Sequence, residues 1–131
     1  MAKKIITISR EFGSGGRFIG EEVAKKLGAA YYDKDIIGRN ADFILKDRDD
    51  VLNVFIHGNM PEKVQRICKL YHVTEADAVK MINDTDKRRR TNYNFYTEQK
   101  WGMAGNYTLS LDSSALGYDM CQKIIIDCAK L

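Results

Sequence analysis

Along the chain, hydrophobic positions first cluster at Lys4–Ser9, which reads Lys-Ile-Ile-Thr-Ile-Ser. A β-branched, mostly apolar run of this kind predicts a strand buried on both faces. The period then changes. Ile19, Val23 and Leu27 recur every four residues and predict a helix with one apolar face, closed by Gly28 as a C-terminal cap. Glu21 with Lys25 and Glu22 with Lys26 stand in the favourable order for i,i+4 pairs on the outer side. Ala30-Tyr31-Tyr32 reads as a short second strand ending at Asp33, and Leu52–His57 reads as another.

Asn59 is placed to cap a helix with Pro61 in its first turn and Val64, Ile67 and Tyr71 inward. Thr74–Asp77 resembles a capping box and opens a further short helix with Ala78, Met81 and Ile82 inward. A basic run, Lys87–Arg90, leads into an aromatic segment, Tyr93–Trp101. Tyr107–Leu111 alternates like a strand and ends at Asp112. Ser113 or Ser114 is expected to cap a last helix with Leu116, Met120 and Ile124 on one side and Cys121, Ile125 and Cys128 alongside. Strands alternating with helices predict an α/β fold with a parallel sheet flanked by helices on both faces. With no internal repeat, linker or low-complexity tract, residues 1–131 are expected to form a single domain.

Composition adds limits. Apolar residues make up 44% and charged residues 30%, enough for a packed core and against disorder. A net charge of +3 suits a protein that handles anions and is too small to argue for nucleic acid. Cys68, Cys121 and Cys128 lack metal-site spacing and read as buried thiols of a reducing compartment. No stretch approaches the roughly 20 apolar residues of a membrane span, so a cytoplasmic location is expected.

The strongest chemical signal is the sequence of strand, glycine-rich turn and helix at residues 4–27. Consecutive amides in the turn Gly13-Ser14-Gly15-Gly16-Arg17, together with the helix N-terminus, predict a cradle for phosphate oxygens. The turn departs from the Walker pattern: Gly16 occupies the lysine's place and Arg17 follows it. Arg17 is the candidate cation for β- and γ-phosphates, and Ser14 or Ser9 the candidate hydroxyl for a metal whose ligands are otherwise unknown. An ordinary βα turn that contains glycine is the bland alternative. Asp33 falls at the strand edge where open α/β sheets bind ligands and reads either as an acceptor or metal group or as a cap. The run Lys87–Arg90 reads equally as a solvated charged face. Tyr93, Tyr96 and Trp101 read as packing residues, and His57 and His72 as structural ones.

The run Ile-Thr-Ile-Ser-Arg-Glu-Phe-Gly-Ser-Gly-Gly-Arg (residues 6–17) resembles the opening of the cytidylate kinase-like proteins. The resemblance continues through Tyr31–Asp35, Gly38–Asp42, Asn53–His57, Thr85–Arg90, Gln99–Gly102 and Leu111–Ser114. It implies a three-layer P-loop kinase fold and transfer of the γ-phosphoryl of ATP, with Mg²⁺, to a nucleoside monophosphate. Arg39 is similar to the family's acceptor-phosphate arginine, although Asn40 stands in the neighbouring aspartate's place; Asp33 and Asp42 are counted with the acceptor site. Asp86 and Arg88, with Arg89 beside them, match the lid, although Thr85 replaces its first arginine. Arg17 and Arg88 are thereby the expected catalytic cations, and Arg90 an outlying solvated one. Lid arginines matter because phosphoryl transfer rests on positioning and charge stabilisation.

The family carries an acceptor-binding helical region and a core strand between its Tyr-Tyr-Asp and Gly-Arg elements. Here only Lys34–Ile37 separate Asp33 from Gly38, so that segment is expected to be missing. The missing lysine and the short acceptor region keep a second expectation open, a non-catalytic nucleotide-binding or regulatory protein. No nucleic acid or membrane partner is expected, and the oligomeric state and acceptor stay open.

Overall fold

The computed structural model describes residues 3–31 and 41–131. Three strands, β1 (Ile5–Arg10), β2 (Val51–His57) and β3 (Leu109–Asp112), form a parallel sheet in the order β1-β2-β3. Ile5 pairs with Val51 through to Arg10 with Ile56, and Val54 with Leu109 through to His57 with Asp112. Because side chains alternate across a strand, β2 serves two layers. Its Leu52, Val54 and Ile56 pack with Ile19 and Val23 of α1 (Gly16–Leu27) and with Cys121, Ile125 and Ala129 of α6 (Tyr118–Ala129). On the other face Phe55 meets Trp101 edge-on, with ring centroids 5.3 Å apart, and Tyr107 at 5.0 Å. The protein is therefore α/β, a three-stranded parallel sheet flanked by helices.

Between β1 and β2 lies the short α2 (Ala41–Ile44). After β2, α3 (Met60–Tyr71) and α4 (Glu75–Thr97) pack on each other through Val64, Ile67, Ala78 and Ile82, a second and smaller core. Asn59 caps α3 by accepting from the Glu62 amide, and Thr74 caps α4 by accepting from the Asp77 amide at 3.2 Å. Gly28 closes α1 in the left-handed region at φ 65°, as its sequence position requires. No described helix is long and apolar enough to cross a membrane.

Several expectations are corrected by the packing. The short helix after Thr74 runs 23 residues and takes in both the basic run and Tyr93–Thr97, because neither Gly nor Pro interrupts that stretch. β1 is not buried on both faces: only Thr7 is buried, and Ile5, Ile6 and Ile8 are half-buried, since β1 has a strand neighbour on one side only among the described residues. Ala30 and Tyr31 are not in a strand; Tyr32, Asp33 and the expected gap before Gly38 lie outside the described residues. Asp112 rather than a serine makes the cap, accepting from the Ser114 and Ala115 amides above the one-turn α5 (Ser113–Leu116). Gly117 then breaks the chain, so α6 starts in a new phase. Leu116 and Met120 face outward while Cys121, Gln122 and Ile125 are buried. Tyr71 and Tyr96 are more than half exposed, Cys68 and Cys128 are only half-buried, and Lys26 reaches Gln122 rather than Glu22.

Candidate functional site

At the C-terminal end of β1 the chain turns through Glu11–Gly15 into α1. Gly13 and Gly15 take φ values of 85° and 80°, which a side chain would strain. The Ser14 amide bonds Glu11 O, whereas the amides of Gly13 and Gly15 make no hydrogen bond among the described residues. Each glycine is also dictated by what lies against it. A Cβ on Gly15 would fall 2.4 Å from the Tyr118 ring, one on Gly16 2.6 Å from Arg10 Cβ, and one on Gly13 3.1 Å from Lys63 Cβ. The Tyr118 hydroxyl accepts from Arg66 of α3, so a guanidinium stands one side chain away from the turn.

Ser14 is buried; its hydroxyl donates to Glu11 O at 2.7 Å and its oxygen faces the Gly16 amide at 3.4 Å. Arg17 is largely exposed, with Nε 3.2 Å from Glu21.

Helix α4 is fastened to this turn. Asp86 Oδ1 accepts from the Phe12 amide at 2.8 Å, and Arg89 donates to Arg10 O at 2.8 Å while lying over the Phe12 ring. Beneath them Lys63 is buried with Nζ 3.0 Å from Glu11 and 3.7 Å from Asp86. Burial holds the Asp86 carboxyl above the usual range, with the Phe12 amide and Lys63 opposing it and Glu11 adding to it. Glu11 also accepts from the Gly58 amide at the end of β2, so one carboxylate ties β1, β2 and α3 together.

Two clefts open beside this cluster. The first, about 460 Å³, is lined by Glu11, Lys63, Asn83, Asp86, Lys87 and Arg90. Residues 83, 86, 87 and 90 share one face of a 3.6-residue helix, whereas residue 88 does not. The second, about 340 Å³, is bounded by Glu11, Arg90, Phe55, His57, Trp101 and Ser110. Glu11 and Arg90 border both.

Asp42 sits in a separate buried spot. Tyr93 donates to its Oδ2 at 2.6 Å, and Oδ1 makes no hydrogen bond of full geometry. Burial raises the Asp42 pKa against the pull of the Tyr93 hydroxyl and of the Asp42 and Phe43 amides, and it raises that of Tyr93 too. A carboxylate so enclosed is covered from a ligand in either cleft.

The sequence-marked residues thus divide. Gly13–Arg17, Asp86 and Arg89 come together around the turn; Arg88 is exposed on α4 and lines neither cleft; Asp42 is inside; Asp33 and Arg39 lie outside the described residues. Arg90, expected to be outlying, stands at the junction of the clefts, and His57, expected to be structural, lines the second. Lys63 and Arg66 carry no motif. The only hint is that each lies on α3 one residue from an inward apolar position, Val64 or Ile67.

No curated protein matches the chain. A crystal structure of an uncharacterized protein from Eubacterium ventriosum is similar over 96% of this chain and 98% of that one, at 26% identity and a TM-score of 0.90. The model of the cytidylate kinase-like family matches in two pieces, residues 5–38 and 36–115. With most of its length so matched, the chain belongs to the cytidylate kinase-like family.

Proposed function

We propose that the protein is an ATP-dependent phosphotransferase of the nucleoside-monophosphate, cytidylate-like kinase type, on a P-loop version of the α/β fold. The observation that carries this is the glycine turn between β1 and α1, with the Gly13 and Gly15 amides unbonded and with α4, whose Lys87 and Arg90 line the first cleft, fastened to that turn through Asp86 and the Phe12 amide. Unpaired amides at a helix N-terminus attract phosphate oxygens, and cations facing them stabilise charge on a transferring phosphoryl group. In this reading Gly13–Arg17 hold the donor phosphates, Arg39 holds the acceptor phosphate, and Lys87 and Arg90 face the group between them. Mg²⁺ arrives with the nucleotide. Ser14 and Ser9 stay the candidate hydroxyls for the ion, which commonly keeps waters and substrate phosphates as its other ligands.

Incubation with ATP and Mg²⁺ and, in turn, CMP, dCMP, UMP and AMP is expected to yield the diphosphate of at least one. Loss of a charge-assisted phosphate contact costs roughly 1.5–3 kcal/mol, so Arg90→Ala should lower kcat/KM by about ten-fold or more. Arg17→Ala should cost less, since Arg17 is largely exposed beside Glu21. Equal losses would remove the junction role of Arg90. The absent Walker lysine and the short acceptor region favour a second reading, a nucleotide-binding or regulatory protein without catalysis. ATP binding by calorimetry with no transfer to any acceptor would select it.

A further inference from the structure

The second cleft has a shape the phosphate chemistry does not need. Phe55 and His57, two residues apart on β2, point to the same face, with ring planes only 26° apart and centroids 6.3 Å apart. Trp101 stands at 84° to Phe55, a wall at the edge of that shelf. Phe55 is buried, while His57 is half-buried and carries the flat surface outward into the cleft. Beside Phe55, its register partner Ser110 on β3 is exposed and offers a hydroxyl, and Arg90, 5.9 Å from the Trp101 ring, links this cleft to the basic one. A shelf of parallel rings with an aromatic wall, polar groups on its rim and a cation at one end fits a planar heterocycle joined to an anion.

We propose that this cleft is a nucleobase subsite, in which the ring of a nucleoside monophosphate lies against His57 and Trp101 while its phosphate reaches Arg90. The assignment deepens the kinase reading and rests on it for the identity of the ligand. His57 is a ring-binding residue rather than a structural one. Ser110 and Glu11 are the rim groups placed to hydrogen-bond ring nitrogens or exocyclic groups. At about 340 Å³ the cleft accommodates one base.

Trp101 is the single tryptophan of the chain and reports on the cleft directly. Its emission is followed during titration with CMP, UMP and AMP, without ATP, and with ribose 5-phosphate as the ringless control. At least one monophosphate should change the emission saturably, and ribose 5-phosphate at the same concentrations should not. His57→Ala should weaken that monophosphate at least ten-fold. Ser110→Phe, an exposed position where the new ring fills the cleft, should do the same with an unchanged melting temperature. The subsite is overturned if calorimetry detects monophosphate binding while emission stays constant and both variants bind as the parent does. It is equally overturned if no monophosphate binds more tightly than ribose 5-phosphate. Failure of the kinase reading shows differently, as a ring-dependent emission change in a protein that transfers no phosphoryl group from ATP.

Discussion

Asp86 and Asp42 are both buried carboxylates on or against α4, and both have their pKa raised by burial, yet their surroundings are built to opposite rules. Asp86 has a buried ammonium, Lys63, at 3.7 Å and a backbone amide at 2.8 Å, and it joins the glycine turn to α4. Asp42 has one tyrosine hydroxyl and an oxygen without a full partner. The first spends its charge on holding a site together. The second has no opposite charge among the described residues to offset its burial. Burial alone does not say what a carboxylate is for; the charge of its neighbours does.

The largest effect expected from this contrast is at Asp86. Asp86→Ala strips the Phe12 amide of its acceptor and Lys63 of one of two counter-charges. Breaking a buried pair costs about 3–5 kcal/mol, and the lower end applies because Lys63 keeps Glu11. Urea unfolding should show this loss, and a change below 1 kcal/mol would mean that Asp86 is not a clamp. Tyr93→Phe comes next, at about 1–3 kcal/mol, since it leaves both Asp42 oxygens buried without a strong donor. The smallest change is Asp42→Asn, within about 1 kcal/mol at neutral pH, because the amide oxygen still accepts from Tyr93 and no charge is buried.

The pH dependence of Asp42 sharpens the contrast. Its folded-state pKa lies above the unfolded value of 3.8, so the folded chain holds the proton more tightly. Its contribution to stability is therefore fully present below pH 3.8 and is lost as pH rises through the folded pKa. Melting temperatures across that range should fall less steeply with pH in Asp42→Asn than in the parent. Parallel slopes would show that Asp42 titrates as it does in the unfolded chain.

What could be read from residues alone follows the reach of each signal. The α1 stripe of Ile19, Val23 and Leu27 with Gly28 behind it is local, and its helix is found where the pattern puts it. The turn at Gly13–Gly16 is legible because glycine there answers a backbone need, although the neighbours crowding it, Tyr118, Arg10 and Lys63, are not. The length of α4 is obscured by Lys87–Arg90, where polar residues suspend the apolar period, while the lack of Gly and Pro across residues 75–97 is the signal that decides it. Arg90 and His57 come to line one cleft only when α4 and β2 are brought together, which no spacing along the chain encodes. Family membership is legible in the opening motif and the order of weaker ones, all of which fall within the matched residues 5–38 and 36–115.

Helix α4 spans 23 residues, roughly 35 Å at 1.5 Å per residue, and Asp86 stands near its midpoint. It is therefore a beam resting on a fulcrum. Thr74 is fixed at one end beside α3, and Tyr93 and Thr97 are buried at the other. A rotation that brings Arg90 inward by a few ångströms must swing the Thr74 end outward, against the Val64–Ile82 packing. Any closing motion of α4 is thus resisted by the small core between α3 and α4. A cavity made there, by Ile82→Ala for example, should loosen the cleft more than its distance from Arg90 suggests.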